Sequence, residues 1–483
     1  MQESLKSKTI SGILWSSIER FSLGIVQFTL NLLMARLLLP SDYGMIGMLA
    51  IFLQISQAFV DAGFTNALIQ RCDRTEEDFS TVFYFNVVIS IVFYALLFLS
   101  APWIAHFYDM PQLIIVTRII ALSLIINSLS AVHKTILTIK VDFKTQSKIS
   151  LLAALFSGGI GLWMAYSGYG VWALVGQTLL NSLILTVLFH YIVAWKPLIV
   201  FSVESFCKLF SFASKFFLSG MINTVYSNLY TLVVGKRFSA VDLGYYTCAS
   251  QIVLFPSANL NSIIMRVMYP VLCKVQNEDE RLKYIYRMYI RLTSYIIFPL
   301  MVGLAVLAQP IIELSLTEKW SDAILLLQIL CIGYMFDHIG VININLLYVK
   351  GRSDLALRLE IIKKVLLTIV LISSIPFGLI GVCYGRVLHS LIATFLNSIY
   401  TKSLIGLSYL DQLKDVVSSL FLAIMMGVVV RISTFYFSNI IKLIVGVIIG
   451  VCVYALFSFI LKIESYKILL RLIMQIKVLK RCV

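Results

Sequence analysis

The chain has 483 residues, of which 60% are hydrophobic and only 13% charged, and its formal net charge is +15. A mean hydropathy of +0.93 and a charged share far below the roughly one quarter usual in soluble domains exclude a soluble globular protein. The composition is that of a chain embedded in lipid, and no nucleic-acid partner is expected.

Apolar stretches of roughly 20 residues, the length that crosses a ~30 Å hydrocarbon layer, follow one another from Ser11 to Leu461 with short polar joints. In chain order the predicted spans are 11–35, 42–64, 79–101, 112–133, 149–167, 170–193, 209–233, 243–268, 287–309, 323–348, 357–375, 379–401, 415–434 and 440–461. The fold class read from them is all-α, a polytopic membrane protein of about 14 transmembrane helices. Lysine and arginine placement sets orientation. The cationic joints gather on one side, taken as cytoplasmic together with both termini, and only Arg36, Lys236, Arg237 and Lys319 fall on the other. The first stretch, "MQESLKSKTISGILWSSIER", starts with basic residues, but Glu19 and Arg20 interrupt its apolar run and no small-residue cleavage site follows. It reads as a retained helix. The eight cysteines lie mostly in spans or cytoplasmic joints without paired metal-ligand spacing, so packing roles are expected and no metal or cofactor.

The chain repeats itself. "ARLLLPSDYG" (35–44) returns as "GKRFSAVDLG" (235–244), and "LFLSAPWIAHF" (97–107) as "AVLAQPIIELS" (305–315), which sets Pro102 opposite Pro310. "ILTIK" (136–140) matches "LLYVK" (346–350), and "SGYGVW" (167–172) resembles "IPFGLIG" (375–381). Two pseudo-symmetric six-helix lobes follow, 1–200 (helices 1–6) and 201–405 (helices 7–12), with helices 13–14 in 406–461 and a basic amphipathic cytoplasmic tail in 462–483. Because six is even, both lobes enter the bilayer from one side, the parallel-repeat arrangement of channels and transporters. Within the repeat, Pro40 ends the first helix in a turn, and Asp42 and Asp242 are placed to cap the helices that follow.

A charge near the bilayer centre costs about 2.5–3.5 kcal/mol on insertion scales, so one that persists faces protein or water. The candidates are Glu19 and Arg20, Asp61, Arg118, Lys215, Arg266, Arg287 and Arg291, Asp337 and His338, Arg386 and His389, and Arg431. Cations outnumber acids. Arg20, Arg118, Arg266, Arg291 and Arg386 are the expected substrate contacts: a shared cationic lumen would favour an anionic, phosphate-bearing head group. The alternative is that such cations lie within a turn of the surface and snorkel to lipid heads. Glu19, Asp61 and Asp337 are the acids able to take up a proton or sodium ion in a coupling cycle, or else to serve as internal salt-bridge partners. His338 and His389 are single histidines on apolar helices, expected to be structural. The tail sets basic residues against Leu469, Leu472, Ile473, Ile476 and Leu479, a pattern suited to the anionic leaflet surface. No phosphate-binding glycine loop, metal cluster or nucleophile elbow occurs in a polar loop, so no catalytic site is expected.

The pieces "ARLLLPSDYGMIGM", "FVDAGFTNALIQR", "YGVWALV", "VDLGYYTCASQIVLFP", "IIMRVMYPVLCKVQNEDERL", "FPLMVGLAVLAQPI" and "EKWSDAILLLQIL", in this order and spacing, resemble one family. It is the polysaccharide transporter branch of the multidrug/oligosaccharidyl-lipid/polysaccharide (MOP) flippase superfamily, the Wzx-type O-antigen and exopolysaccharide flippases. The resemblance covers most of 8–400. It implies a bacterial inner-membrane protein that moves an undecaprenyl-pyrophosphate-linked oligosaccharide from the cytoplasmic to the periplasmic leaflet by alternating access, with a groove by the last two helices admitting the lipid tail. It also implies that Arg266, in "RVMYP", contacts the head group, and that a polysaccharide polymerase and chain-length machinery act alongside. Where members carry an Asp in the seventh helix, this chain has Tyr230, so no coupling acid is assigned there.

Three other readings compete. A cation-coupled exporter of the same superfamily would place acids, not arginines, around its cavity. A peptidoglycan-precursor lipid flippase shares the helix count and cationic lumen and differs mainly in the sugar. A membrane polysaccharide polymerase or ligase would commonly carry a sizeable extracytoplasmic loop, which this chain lacks.

Overall fold

The computed structural model describes residues 22–71 and 73–468; side chains at 212, 215, 216, 219 and 263–267 are outside that description. The described chain is helical, and it divides into two compact units, Met1–Thr247 and Cys248–Val483. Among the described residues, ten helical segments are long and apolar enough to cross a membrane. Three of them, Leu113–Ile139, Ala323–Val349 and Ser353–Ile405, hold more than one helix. This is a multi-pass membrane protein.

The first unit contains α1 (Ser22–Leu37), α2 (Pro40–Asp61), α3 (Phe64–Gln70), α4 (Glu76–Tyr108), α5 (Leu113–Ile120), α6 (Leu122–Ile139), α7 (Phe143–Tyr166), α8 (Val171–Ile192), α9 (Val203–Ser227), α10 (Leu229–Arg237) and the start of α11 (Ala240–Lys274). Its core joins Phe64 and Leu68 of α3 to Val82 of α4, Val132 of α6, Ile149 of α7, Phe189 of α8 and Leu209 of α9. The short α3 enters this core through a left-handed turn at Ala62 and Gly63. A Cβ at Gly63 would lie 2.5 Å from the Ala213 carbonyl oxygen, so only glycine lets α3 sit against α9. α4 opens with a capping box: Thr75 Oγ1 accepts from the Asp78 amide at 3.3 Å, and Asp78 Oδ2 accepts from the Thr75 amide at 2.8 Å. The connector from α8 to α9 is stapled along this helix start. Trp195 Nε1 donates to Glu76 at 2.7 Å, and the Leu198 and Ser202 amides donate to Ser80 and Thr81 at 2.9 and 3.1 Å.

The repeated Asp-x-Gly segments meet each other. Asp42 accepts from the Leu39 amide at 3.0 Å and Asp242 from the Ser239 amide at 3.1 Å, so each aspartate closes its own helix start from the third position. Two residues on, the helices cross. A Cβ at Gly44 would lie 1.8 Å from the Ala240 carbonyl oxygen, and one at Gly244 would lie 1.9 Å from that of Pro40. The contact is reciprocal, and neither glycine can carry a side chain without parting α2 from α11.

The second unit continues with α12 (Asp279–Val306), α13 (Ala308–Leu316), α14 (Ala323–Met335), α15 (Asp337–Val349), α16 (Ser353–Ser374), α17 (Gly378–Ser398), α18 (Thr401–Ile405), α19 (Tyr409–Ser433) and α20 (Asn439–Ile460). α12 packs along α19 and against α14, burying Tyr286, Ile290, Phe298 and Met301 completely. Polar seams lock these helices in rotation. Tyr286 donates to Asn343 of α15, Asn343 Nδ2 donates to Gln412 of α19 at 3.0 Å, and Gln412 Nε2 donates to Thr401 at 3.0 Å. Ser294 meets His338 Nε2 at 2.7 Å, and His338 Nδ1 meets the Met335 carbonyl at 2.9 Å, so this buried histidine is held from both ring nitrogens. With no water in the hydrocarbon layer, such groups need protein partners.

Candidate functional site

Two adjoining features of the second unit stand out, both built on α12. The first is an apolar groove of about 610 Å³ between α12, α19 and α20, lined among others by Leu300, Gly303, Leu304, Val447 and Val451. Small residues make it. Gly427 and Gly446 let α19 and α20 close on α12 and the residue after it, since a Cβ at either would lie 2.6 Å from Val302 or 2.7 Å from Leu307. Gly303, by contrast, has open space where its side chain would be. The groove's polar edge is internally satisfied: Tyr295 donates to Ser458 at 2.8 Å, and Tyr454 donates to the Tyr295 carbonyl at 2.9 Å.

The second feature is a cavity of about 290 Å³ one turn nearer the start of α12, lined by Glu280, Lys283, Arg287, Arg291 and Glu464 among others. Lys283, Arg287 and Arg291 recur every four residues and share one helix face. Arg287 grips Asp415 of α19 with two bonds of 2.7 Å, Nε to Oδ2 and Nη2 to Oδ1. Arg291 Nε donates to the same carboxylate at 2.8 Å, and its Nη1 pairs with Glu464 on the segment following α20. The Asp415 side chain is 3% exposed and the Glu464 side chain 56%. One acid is thus locked between two guanidiniums, and the other sits at the surface.

The remaining predicted charges fall elsewhere. Arg386 of α17 donates to Asp337 of α15 at 3.1 Å, Ser390 donates to the other Asp337 oxygen at 2.7 Å, and the guanidinium lies 4.6 Å from the centroid of Tyr334. His389 approaches Arg386 through Nδ1 at 3.3 Å. Asp337 is therefore an internal salt-bridge partner here. Arg118 of α5 reaches across to α4, donating to the Phe98 carbonyl at 3.3 Å and covering its ring at 4.2 Å. Asp61 ends α2 and accepts from Gln57 at 3.3 Å. Arg431 is exposed in the last turn of α19. Arg20 and Glu19 lie outside the described residues, as does the tail beyond 468, and the side chains of Lys215 and Arg266 are not among those described. The structure thus unites Arg287 with Arg291, and Arg386 with Asp337, in two clusters that share no residue.

Sequence reasoning missed Asp415, Lys283 and Glu464. Asp415 reads as a joint residue at the head of an apolar run, and Glu464 as part of a basic tail. The spacing of Asp415 was readable, one turn beyond Asp411, which closes the α19 capping box with Ser408, but its inward direction comes from the packing of α19 on α12.

Comparison with known proteins gives four findings. A family model described as "Polysaccharide biosynthesis protein" matches residues 33–325. The chain is similar to the teichuronic acid biosynthesis protein TuaB of Bacillus subtilis (strain 168), 28% identical over 358 residues, 73% of this chain and 74% of that one. It is also similar to the lipopolysaccharide biosynthesis protein WzxC of Escherichia coli (strain K12), 27% identical over 417 residues, 84% of this chain and 83% of that one. Among solved structures, a lipid II flippase MurJ in an inward closed conformation matches with a TM-score of 0.77 at 18% identity, covering 93% of this chain and 98% of its own, a likeness of fold.

Proposed function

The chain belongs to the polysaccharide biosynthesis protein family, and from that premise we propose that it is a flippase for undecaprenyl-pyrophosphate-linked oligosaccharide repeat units. It carries them from the cytoplasmic to the periplasmic leaflet of a bacterial inner membrane, and it is a transporter, not an enzyme. Both termini face the cytoplasm in this reading, because lysine and arginine gather in the joints of that side. The lobes 1–200 and 201–405 are the moving parts of an alternating-access cycle, and a polymerase with its chain-length machinery receives the cargo. Arg266 contacts the head group, on the strength of the family resemblance, with Arg20 beside it as an intramembrane cation facing the lumen, and Glu19 and Asp61 are the acids left for ion coupling once Asp337 is engaged by Arg386.

The observation that carries this reading is the α12–α19–α20 groove. A pyrophosphate-linked sugar cannot cross ~30 Å of hydrocarbon unaided, because desolvating its charges costs far more than thermal energy supplies. Its polyprenyl chain needs no such protection. An apolar groove opening beside cationic side chains accommodates both ends of such a molecule, the chain against Leu300, Leu304 and Val447 and the charge beyond Tyr295.

The deciding experiment is the sidedness of lipid-linked oligosaccharide in cells depleted of the protein, read with a membrane-impermeant periplasmic probe. Repeat units are expected to accumulate facing the cytoplasm and to reach the periplasmic face on re-expression; single unpolymerised units already on the periplasmic face would place the protein after translocation. Two substitutions sharpen the test. Gly303→Trp fills the groove from a position with free space, and is expected to cut translocation by about tenfold or more at unchanged abundance, a change of ~1.4 kcal/mol in tail binding being sufficient. Arg266→Ala is expected to abolish polysaccharide display at normal protein level, and wild-type display would remove Arg266 from the head-group route.

A further inference from the structure

We propose that the cavity faced by Lys283, Arg287 and Arg291 seats the phosphate of an anionic lipid whose chain lies in the adjoining groove, and that Glu464 is an internal anion holding that seat until the lipid displaces it. The proposal rests on the flippase reading only for which lipid arrives.

The argument starts from register. Positions 283, 287 and 291 fall on one face of α12, and Tyr295, one turn on, already lines the apolar groove. Charged and apolar linings therefore follow each other along a single helix face, as head and chain do in an amphiphile. The charge inventory comes next. Arg287 and Arg291 share the one buried carboxylate of Asp415, and Lys283 is half-buried with no ion pair or hydrogen bond among the described residues. The acids lining the cavity are Glu280, exposed at its rim, and Glu464; behind the lining, Arg287 also faces Asp415 and, at longer range, Asp411. With Glu464 removed, the lining itself holds three cations against Glu280, and its net charge rises by one.

The two glutamate and aspartate partners differ in exchangeability. Asp415 is enclosed and bonded by both arginines, so it is fixed. Glu464 is more than half exposed, makes its pair with one Arg291 nitrogen, and rides on a segment that leaves α20 through a left-handed turn at Lys462. An exposed carboxylate–arginine pair is weakly held against competition, and a phosphate offers the guanidinium a bidentate, more highly charged partner. The same segment puts Tyr466 on the groove and Ile468 on the cavity. Releasing Glu464 therefore loosens the strap that touches both compartments, and head-group binding and chain binding are coupled through it.

The test is lipid binding to the purified full chain by native mass spectrometry, with farnesyl pyrophosphate, phosphatidylglycerol and inorganic pyrophosphate as probes. E464Q keeps Arg291 on Asp415 and is expected to tighten lipid binding about fivefold, while K283Q weakens it about fivefold. A larger shift for farnesyl pyrophosphate than for phosphatidylglycerol assigns the seat to a polyprenyl cargo; equal shifts assign it to bulk phospholipid, and both support a lipid-phosphate seat. Inorganic pyrophosphate, lacking a chain, should bind more weakly than either lipid. Equal affinity for inorganic pyrophosphate, no shift with either variant, or weakening by E464Q overturns the proposal. Loss of the flippase reading in the sidedness experiment, with these binding shifts intact, leaves it standing.

Discussion

Asp415→Ala is expected to destabilise the protein by about 2–3 kcal/mol and to deplete it from membranes. Removing one partner of a buried charge cluster leaves the others uncompensated, typically at ~3–5 kcal/mol. Here the cost falls below that range, because the Arg287 and Arg291 side chains keep 34% and 26% exposure and some hydration. The carboxylate also ties α12 to α19, so its loss parts the two helices that pack most extensively in the second unit. Thermal unfolding in detergent measures the effect. The triple variant Asp415→Leu with Arg287→Met and Arg291→Met should recover much of the loss, since apolar replacement of a whole buried ion cluster is often neutral or better. Glu464→Gln, breaking an exposed pair, should cost less than about 1 kcal/mol. If Asp415→Ala behaves like Glu464→Gln, the cluster does not hold these helices together.

Gly44→Ala and Gly244→Ala are each expected to cost about 1–3 kcal/mol, the range for forcing extra atoms into a packed contact. The added methyl meets a backbone carbonyl at under 2 Å in either case, and a backbone cannot swing aside as a side chain tip does. Transport should fall with stability, because the α2–α11 crossing has to open to admit the methyl. Gly159→Ala supplies the contrast: it lies in α7 with nothing within 4 Å of its Cβ, so the change is expected to be neutral or slightly stabilising through helix propensity. Equal tolerance at all three positions would mean that the crossing is loose.

Much of this fold is written in the sequence because lipid imposes a length. Runs of about 20 apolar residues mark α2, α4, α7, α8 and α20 directly, and the Asp-x-Gly repeat points to α2 and α11 as equivalent starts. The purpose of the repeated glycines was not legible: a helix–helix turn explains Gly44 and Gly244 equally well, and only the three-dimensional path brings each to the other's backbone. The site shows the same limit. The cations of α12 are conspicuous as intramembrane charges, but their shared partner Asp415 lies 128 residues from Arg287 and 124 from Arg291. Period and hydropathy give the face on which a side chain stands and say nothing of which helix meets it. The groove was anticipated beside the last two helices, yet its other wall, α12, emerges only from packing.

The seam from Tyr286 through Asn343 and Gln412 to Thr401 bears on how the protein is made. Helices enter the bilayer in chain order, so α12 and α15 are in lipid before α19 has been synthesised. During that interval the Asn343 amide lacks its acceptor on Gln412, and Arg287 and Arg291 wait without Asp415. A nascent chain halted after Ile405 therefore holds polar and cationic groups whose partners have not yet been made. Arrival of α19 brings the partners of the amide and of both arginines together, so completion of the second unit waits on that helix.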